Sequence, residues 1–139
     1  MSRVLALDIG TVRIGAAISD PTRTIAQGLG VWSAEAWRED LAECLKKYDP
    51  EVIVVGLPMR TDGRKSEAAD SVREVVSELS AKYPEREFVL WDERFTTVIA
   101  HKAMLEGDVS RRKRRRNVDK LAAVVILESW LEAQRVCRT

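Results

Sequence analysis

Two cysteines, one histidine and a net charge of +1 narrow the chemistry open to this 139-residue chain. Cys44 lies in a helical pattern and Cys137 near the C-terminus. Neither belongs to a Cys-x-x-Cys pair, so the spacing of a zinc site is missing. His101, the single histidine, lies on a helical pattern and reads as a surface or packing residue, not a general base. No apolar run approaches the roughly 20 residues that cross a bilayer. The first one is broken by Asp8 and Arg13, unlike a secretory leader. There is no internal repeat and no low-complexity linker. These absences predict a cytoplasmic protein with no membrane partner, built as one domain over 1–139. The 45% hydrophobic and 32% charged residues are those of an ordinary globular chain.

What is present is ordered in a readable way. Arg3 to Ile9 holds four consecutive apolar residues, Val4 to Leu7, the pattern of a strand buried on both faces, and then reaches Asp8, Gly10 and Thr11. Ile14 to Ser19 reads as a second strand, close enough to form an antiparallel hairpin with the first. Leu29 to Trp32 is a third. The period then changes. Ser33 is a candidate N-cap, and Ala34, Trp37, Leu41, Leu45 and Tyr48 recur at helical spacing until Asp49-Pro50. Val52 to Leu57 is a fourth strand. Met59 to Lys65 is a polar loop with an Asp62-Gly63 turn, and Ala68 to Leu79 a second helix. Phe88 to Trp91 is a fifth strand, ending on Asp92 and Glu93. A third helix is predicted from Thr96 to Glu106, a basic loop from Gly107 to Arg116, and a last helix from Val118 to Gln134, capped at Asn117.

Strands reached through helices pair in parallel, because such crossovers need a helix's length. The predicted fold is therefore α/β: a five-stranded mixed sheet, three antiparallel strands then two parallel, covered by helices. Ligands of open α/β sheets gather at the carboxyl ends of the strands. Asp8, the acids Asp92 and Glu93, and the loop after Leu57 fall there. Asp119 opens the last helix. Such acids taken singly are solvated turn residues or partners of a helix dipole. Taken together at one sheet edge they suit a hard divalent cation, which takes oxygen ligands. Two such ions about 4 Å apart stabilise the attacking and leaving oxygens of a phosphodiester.

Four motifs recur in order. They are Asp8-Ile9-Gly10-Thr11; Gly56-Leu57-Pro58 with Asp62-Gly63; Asp92-Glu93-Arg94-Phe95-Thr96-Thr97; and Val118-Asp119-Lys120-Leu121-Ala122-Ala123. Together they resemble the YqgF/RuvX family over about Arg3 to Leu131. Members are named pre-16S rRNA nucleases or Holliday-junction-resolvase-like proteins. The resemblance implies a ribonuclease-H-like fold and helices on both faces of the sheet. It also implies that Asp8, Glu93 and Asp119 are the metal-binding catalytic acids; Mg or Mn, as two ions, is the cofactor expected from the acid cluster. Glu93 rather than Asp92 comes from the resemblance. Gly10, Thr11, Asp62, Gly63, Arg94, Thr96 and Thr97 are the supporting motif positions.

Six consecutive basic residues, Arg111, Arg112, Lys113, Arg114, Arg115 and Arg116, hold six of the 23 lysines and arginines and directly precede Asp119. Guanidinium groups bind phosphates through paired donors. The run is the expected nucleic-acid-binding element; the plainer alternative is a solvated charged loop. The four tryptophans sit in or beside apolar patterns and read as core or interface. The expected activity is metal-dependent cleavage of structured RNA, at the 5′ end of pre-16S rRNA. A resolvase of branched DNA junctions, a non-catalytic nucleic-acid-binding module and a small ATP-binding domain are the rivals. The assembly is expected to be a monomer or a homodimer.

Overall fold

The computed structural model describes residues 2–58, 66–93 and 111–138, with the side chains of the final helix described from 121 to 135. β1 (Val4–Ile9) and β2 (Arg13–Ser19) form an antiparallel hairpin with Leu5 opposite Ile18 and Asp8 opposite Gly15. β3 (Ala26–Ser33) continues the meander, with a register shift at Ala16/Ala17. β4 (Val52–Leu57) and β5 (Glu87–Asp92) add on the other side of β1 in parallel, giving the order β3-β2-β1-β4-β5. The meander and the two parallel crossovers are those expected from the sequence.

The continuous apolar runs of β1 and β4 are explained by burial on both faces. Leu5, Leu7, Ile53 and Val55 point into one core, with Leu41 and Leu45 of α1 (Trp37–Tyr48) and Val72 and Leu79 of α2 (Glu67–Lys82). Val4, Ala6, Val52 and Val54 alternate into a second core. There they meet Ala123, Ile126, Leu127 and Trp130 of α3 (Arg111–Arg138). Helices thus cover both faces. Trp37 and Trp130 are buried, and the Trp91 indole donates to Ser129 Oγ at 3.0 Å, so these rings belong to the packing. Cys44 is buried as well; loss of solvent pushes its thiol up to about 11, which leaves it unreactive at neutral pH.

Several boundaries differ from the sequence reading. β3 is longer, and Ser33 ends it instead of capping a helix. The Ala34 N–H donates to the Val12 carbonyl at 3.0 Å, tying this corner to the β1–β2 turn. α1 begins at Trp37 with Ala36 at its N-cap and no side-chain cap. α2 is capped by Ser66, whose Oγ accepts the Ala69 N–H at 3.1 Å. Asp49 ends α1 in the left-handed conformation and donates its N–H to Leu45 O. The largest correction concerns Arg111 to Arg116. The run is not a loop but the start of α3, and Asn117 is a helix-interior residue, not a cap. Apolar spacing, the signal used for helices, is missing from this run. Arginine and lysine are nonetheless good helix formers, and no glycine or proline interrupts it. The Met59–Lys65 loop with Asp62 and Gly63, the Thr96–Glu106 helix, Arg94, Thr96, Thr97 and His101 lie outside the described residues.

Candidate active site

Strand alternation selects which residues meet at the carboxyl edge. On β1, Asp8 follows Ala6 onto the face covered by α3. On β4, Gly56 follows Val54 onto the same face, and Glu93, just past the end of β5, follows Val89 and Trp91. The pairings Leu7 with Val55 and Gly56 with Trp91 set these positions side by side across the sheet. β1 and β5 are not neighbours, since β4 lies between them. At about 4.8 Å per strand the two acids start almost 10 Å apart. The Glu93 side chain closes that gap and its carboxyl is hydrogen-bonded to that of Asp8.

The route passes over Gly56. A Cβ built there would stand 2.5 Å from Glu93 Oε1, 3.1 Å from Glu93 Cγ and 2.6 Å from Ile126 Cδ1. Gly10 is constrained differently. It donates its N–H to Arg13 O at 2.9 Å in the β1–β2 turn, and a Cβ would come within 2.8 Å of that same oxygen. Thr11, exposed, follows it. Sequence reading took Gly56 only as part of a motif. A glycine directly after four β-branched residues of a strand is the signal that could have singled it out.

Burial raises both acids. Asp8 is raised mainly by loss of solvent, partly offset by the hydrogen bond from Glu93. Glu93 is pushed up to about 8, first by burial, then by the hydrogen bond to Asp8 and the charges of Asp8 and Asp92. The two carboxyls therefore hold a shared proton between them, above the pH at which an ordinary carboxyl would lose it. Two half-buried carboxyls that share a proton are an all-oxygen donor set that a hard dication can occupy in the proton's place. Asp8 and Glu93 fit such an ion. Among the described residues no group of three or more His, Cys, Asp or Glu side chains gathers at one point.

Position 119 falls in helical register, i, i+4, i+7, with Ala123 and Ile126, both buried against the sheet. The side chains of Asp119 and of Arg111 to Arg116 lie outside the described ones. A cavity of about 390 Å³ adjoins the pair on the other side of the strand ends. Its lining includes Gly10, Thr11, Pro58 and Glu93 together with Trp37 and Val72.

The model of the family described as "RuvX: Holliday junction resolvase" matches residues 2–133. The chain belongs to the RuvX family. Relatives that carry the provisional name pre-16S rRNA nuclease include one from Clostridium tetani (strain Massachusetts / E88). It is 42% identical, over 94% of this chain and 96% of the relative. One from Halalkalibacterium halodurans is 39% identical, over 96% and 99%. Among solved structures, RuvC of T. thermophilus in complex with a Holliday junction substrate superposes with a TM-score of 0.58 at 12% identity, over 97% of this chain and 96% of that one. The yeast mitochondrial Holliday junction resolvase Ydc2 gives 0.56 at 12% identity, over 94% and 79%. At such identities the likeness speaks for the fold, which in this RuvX chain is the ribonuclease-H-like one. No helix among the described residues is long and apolar enough to cross a membrane.

Proposed function

We propose that the chain is a metal-dependent endonuclease that hydrolyses phosphodiester bonds in structured RNA, with the 5′ region of the 16S rRNA precursor as substrate. Asp8, Glu93 and Asp119 are its catalytic acids. The Asp8–Glu93 pair carries this reading: two half-buried, hydrogen-bonded carboxyls stand at the carboxyl edge of a ribonuclease-H-like sheet. The names of relatives about 40% identical over nearly the whole chain support RNA as the substrate.

Asp8, Glu93 and Asp119 would hold divalent Mg or Mn, which would supply Lewis-acid stabilisation of the attacking and departing oxygens. The chain's own contribution is to hold the acids. The rigid edge of β1 fixes Asp8, and Glu93 is brought to it across β4. Position 119 of α3 lies in register with the residues that close that face. The Asp8–Glu93 pair holds a proton that it would have to release to take up a cation, so loading would be coupled to proton release. The basic start of α3 brings a phosphate backbone to the same end of the helix. Water adds to phosphorus and the bond to the 3′ oxygen breaks, leaving a 5′-phosphate and a 3′-hydroxyl.

The family description and the RuvC-like fold favour a second substrate, a four-way DNA junction. The test offers purified protein both substrates side by side, with Mg²⁺, with Mn²⁺ and with chelator. Cleavage of precursor rRNA only with metal, leaving 5′-phosphates, is the expected result. Paired symmetric cuts in the junction with untouched RNA would transfer the activity to DNA. Cleavage undiminished by chelator would end the metal mechanism.

A further inference from the structure

We propose that Gly56 is a positioning residue of the active site: its missing side chain is the seat through which Glu93 reaches across β4 to Asp8. This rests on the reading of Asp8 and Glu93 as metal-holding acids.

Nothing in the backbone asks for glycine at this position. Gly56 lies inside a regular parallel strand, and among the described residues Gly30 is the glycine with a positive φ. Its four predecessors, Val52, Ile53, Val54 and Val55, are all β-branched, the type that a buried strand favours. Glycine there gives up packing and chain stiffness. Space is what it provides. The strand between two paired acids would ordinarily raise a side chain between them. At Gly56 the acid's own oxygen occupies the place of the Cβ, 2.5 Å from where that atom would stand.

The contrast with Gly10 shows where a methyl group would be felt. At Gly10 the obstructing atom is a backbone carbonyl oxygen of the same tight turn, so an added Cβ strains the fold. At Gly56 the nearest atoms belong to two side chains: Glu93, half-exposed, which can swing away, and Ile126, fully buried, whose Cδ1 has to repack. The fold can absorb alanine by moving the Glu93 carboxyl off its line to Asp8. The core bears the part of the change that falls on Ile126 Cδ1, and the chemistry bears the part that falls on Glu93.

The test uses Gly56→Ala and the double variant Gly56→Ala/Ile126→Val, which removes the Cδ1 atom and with it the packing conflict. Mn²⁺ binding is followed by electron paramagnetic resonance of the free ion without nucleic acid, beside urea unfolding and cleavage kinetics. Parent protein is expected to bind Mn²⁺. Gly56→Ala should bind it tenfold or more weakly, about the loss seen when groups supporting a metal ligand are disturbed. Its kcat should fall with KM for RNA within about twofold. The double variant should regain the parent's urea midpoint but neither Mn²⁺ affinity nor kcat. Parent-like Mn²⁺ binding in Gly56→Ala would overturn the proposal. Recovery of binding and cleavage by Ile126→Val would do the same, making core packing the cause. A parent protein that takes up no Mn²⁺ would instead overturn the metal-site reading beneath it.

Discussion

At the scale of single residues, the acid pair couples the active site to pH. Glu93 has a folded pKa of about 8 against an ordinary 4.5, and Asp8 is raised in the same direction. Below the ordinary value both the folded and unfolded chains hold the proton, and the pair's contribution to stability is fully present. As pH rises, the unfolded chain releases a proton that the folded chain retains, so stability falls until pH passes the folded value. Without metal, the urea midpoint should therefore decline from about pH 5 to about pH 9. Glu93→Gln cannot ionise and should flatten that decline, standing above the parent at the alkaline end. A parent midpoint that climbs over this range would show that the two carboxyls do not share a proton. Bound Mn²⁺ should reverse the trend, because metal entry needs the deprotonated pair.

At the scale of elements, the basic run has become part of a helix, and this changes what it can touch. Six consecutive helical residues turn through more than one and a half turns, so no single phosphate track meets all six. Two or three contacts are a reasonable number. Each neutralised phosphate contributes a log–log salt slope of about −0.9 on duplex and −0.7 on single strands. Replacing Arg111 to Arg116 by glutamine, which keeps helix propensity, should flatten the slope by roughly 1.5 to 2.5 units. Turnover at saturating RNA should change much less, and sequence preference should hold, since phosphate contacts carry no base information. An unchanged slope would move the nucleic-acid surface elsewhere on the protein. The element also shows where sequence reading fails. The last helix was legible from Val118 onward because its apolar residues repeat, and its first turns were hidden because Arg111 to Asn117 have no apolar repeat at all. Ser33 misled for a related reason: hydroxyl residues end strands as readily as they start helices.

At the scale of the whole molecule, two cores lie on opposite faces of one sheet, and the acids sit at its carboxyl edge. That division was legible because β1 and β4 are apolar at every position until Asp8 and Gly56. The meeting of Asp8 with Glu93 was legible only as a shared edge, because strand order and the gap at Gly56 depend on contacts far apart in sequence. The arrangement predicts that stability and catalysis can be damaged separately. Leu127 is fully buried in the α3 core. Leu127→Ala removes apolar contacts and leaves a cavity, which costs about 2–5 kcal/mol. Its urea midpoint should drop with the slope unchanged, while RNA cleavage well below the midpoint stays near the parent's rate. Asp8→Asn should do the opposite. It removes one member of a carboxyl pair whose burial opposes charge, so the midpoint should hold or rise, while Mn²⁺ binding and cleavage are lost. If Leu127→Ala and Asp8→Asn fell together in both measurements, the acids would be part of what holds the sheet and α3 together. The edge would then be a structural ion-binding joint and not a reaction centre.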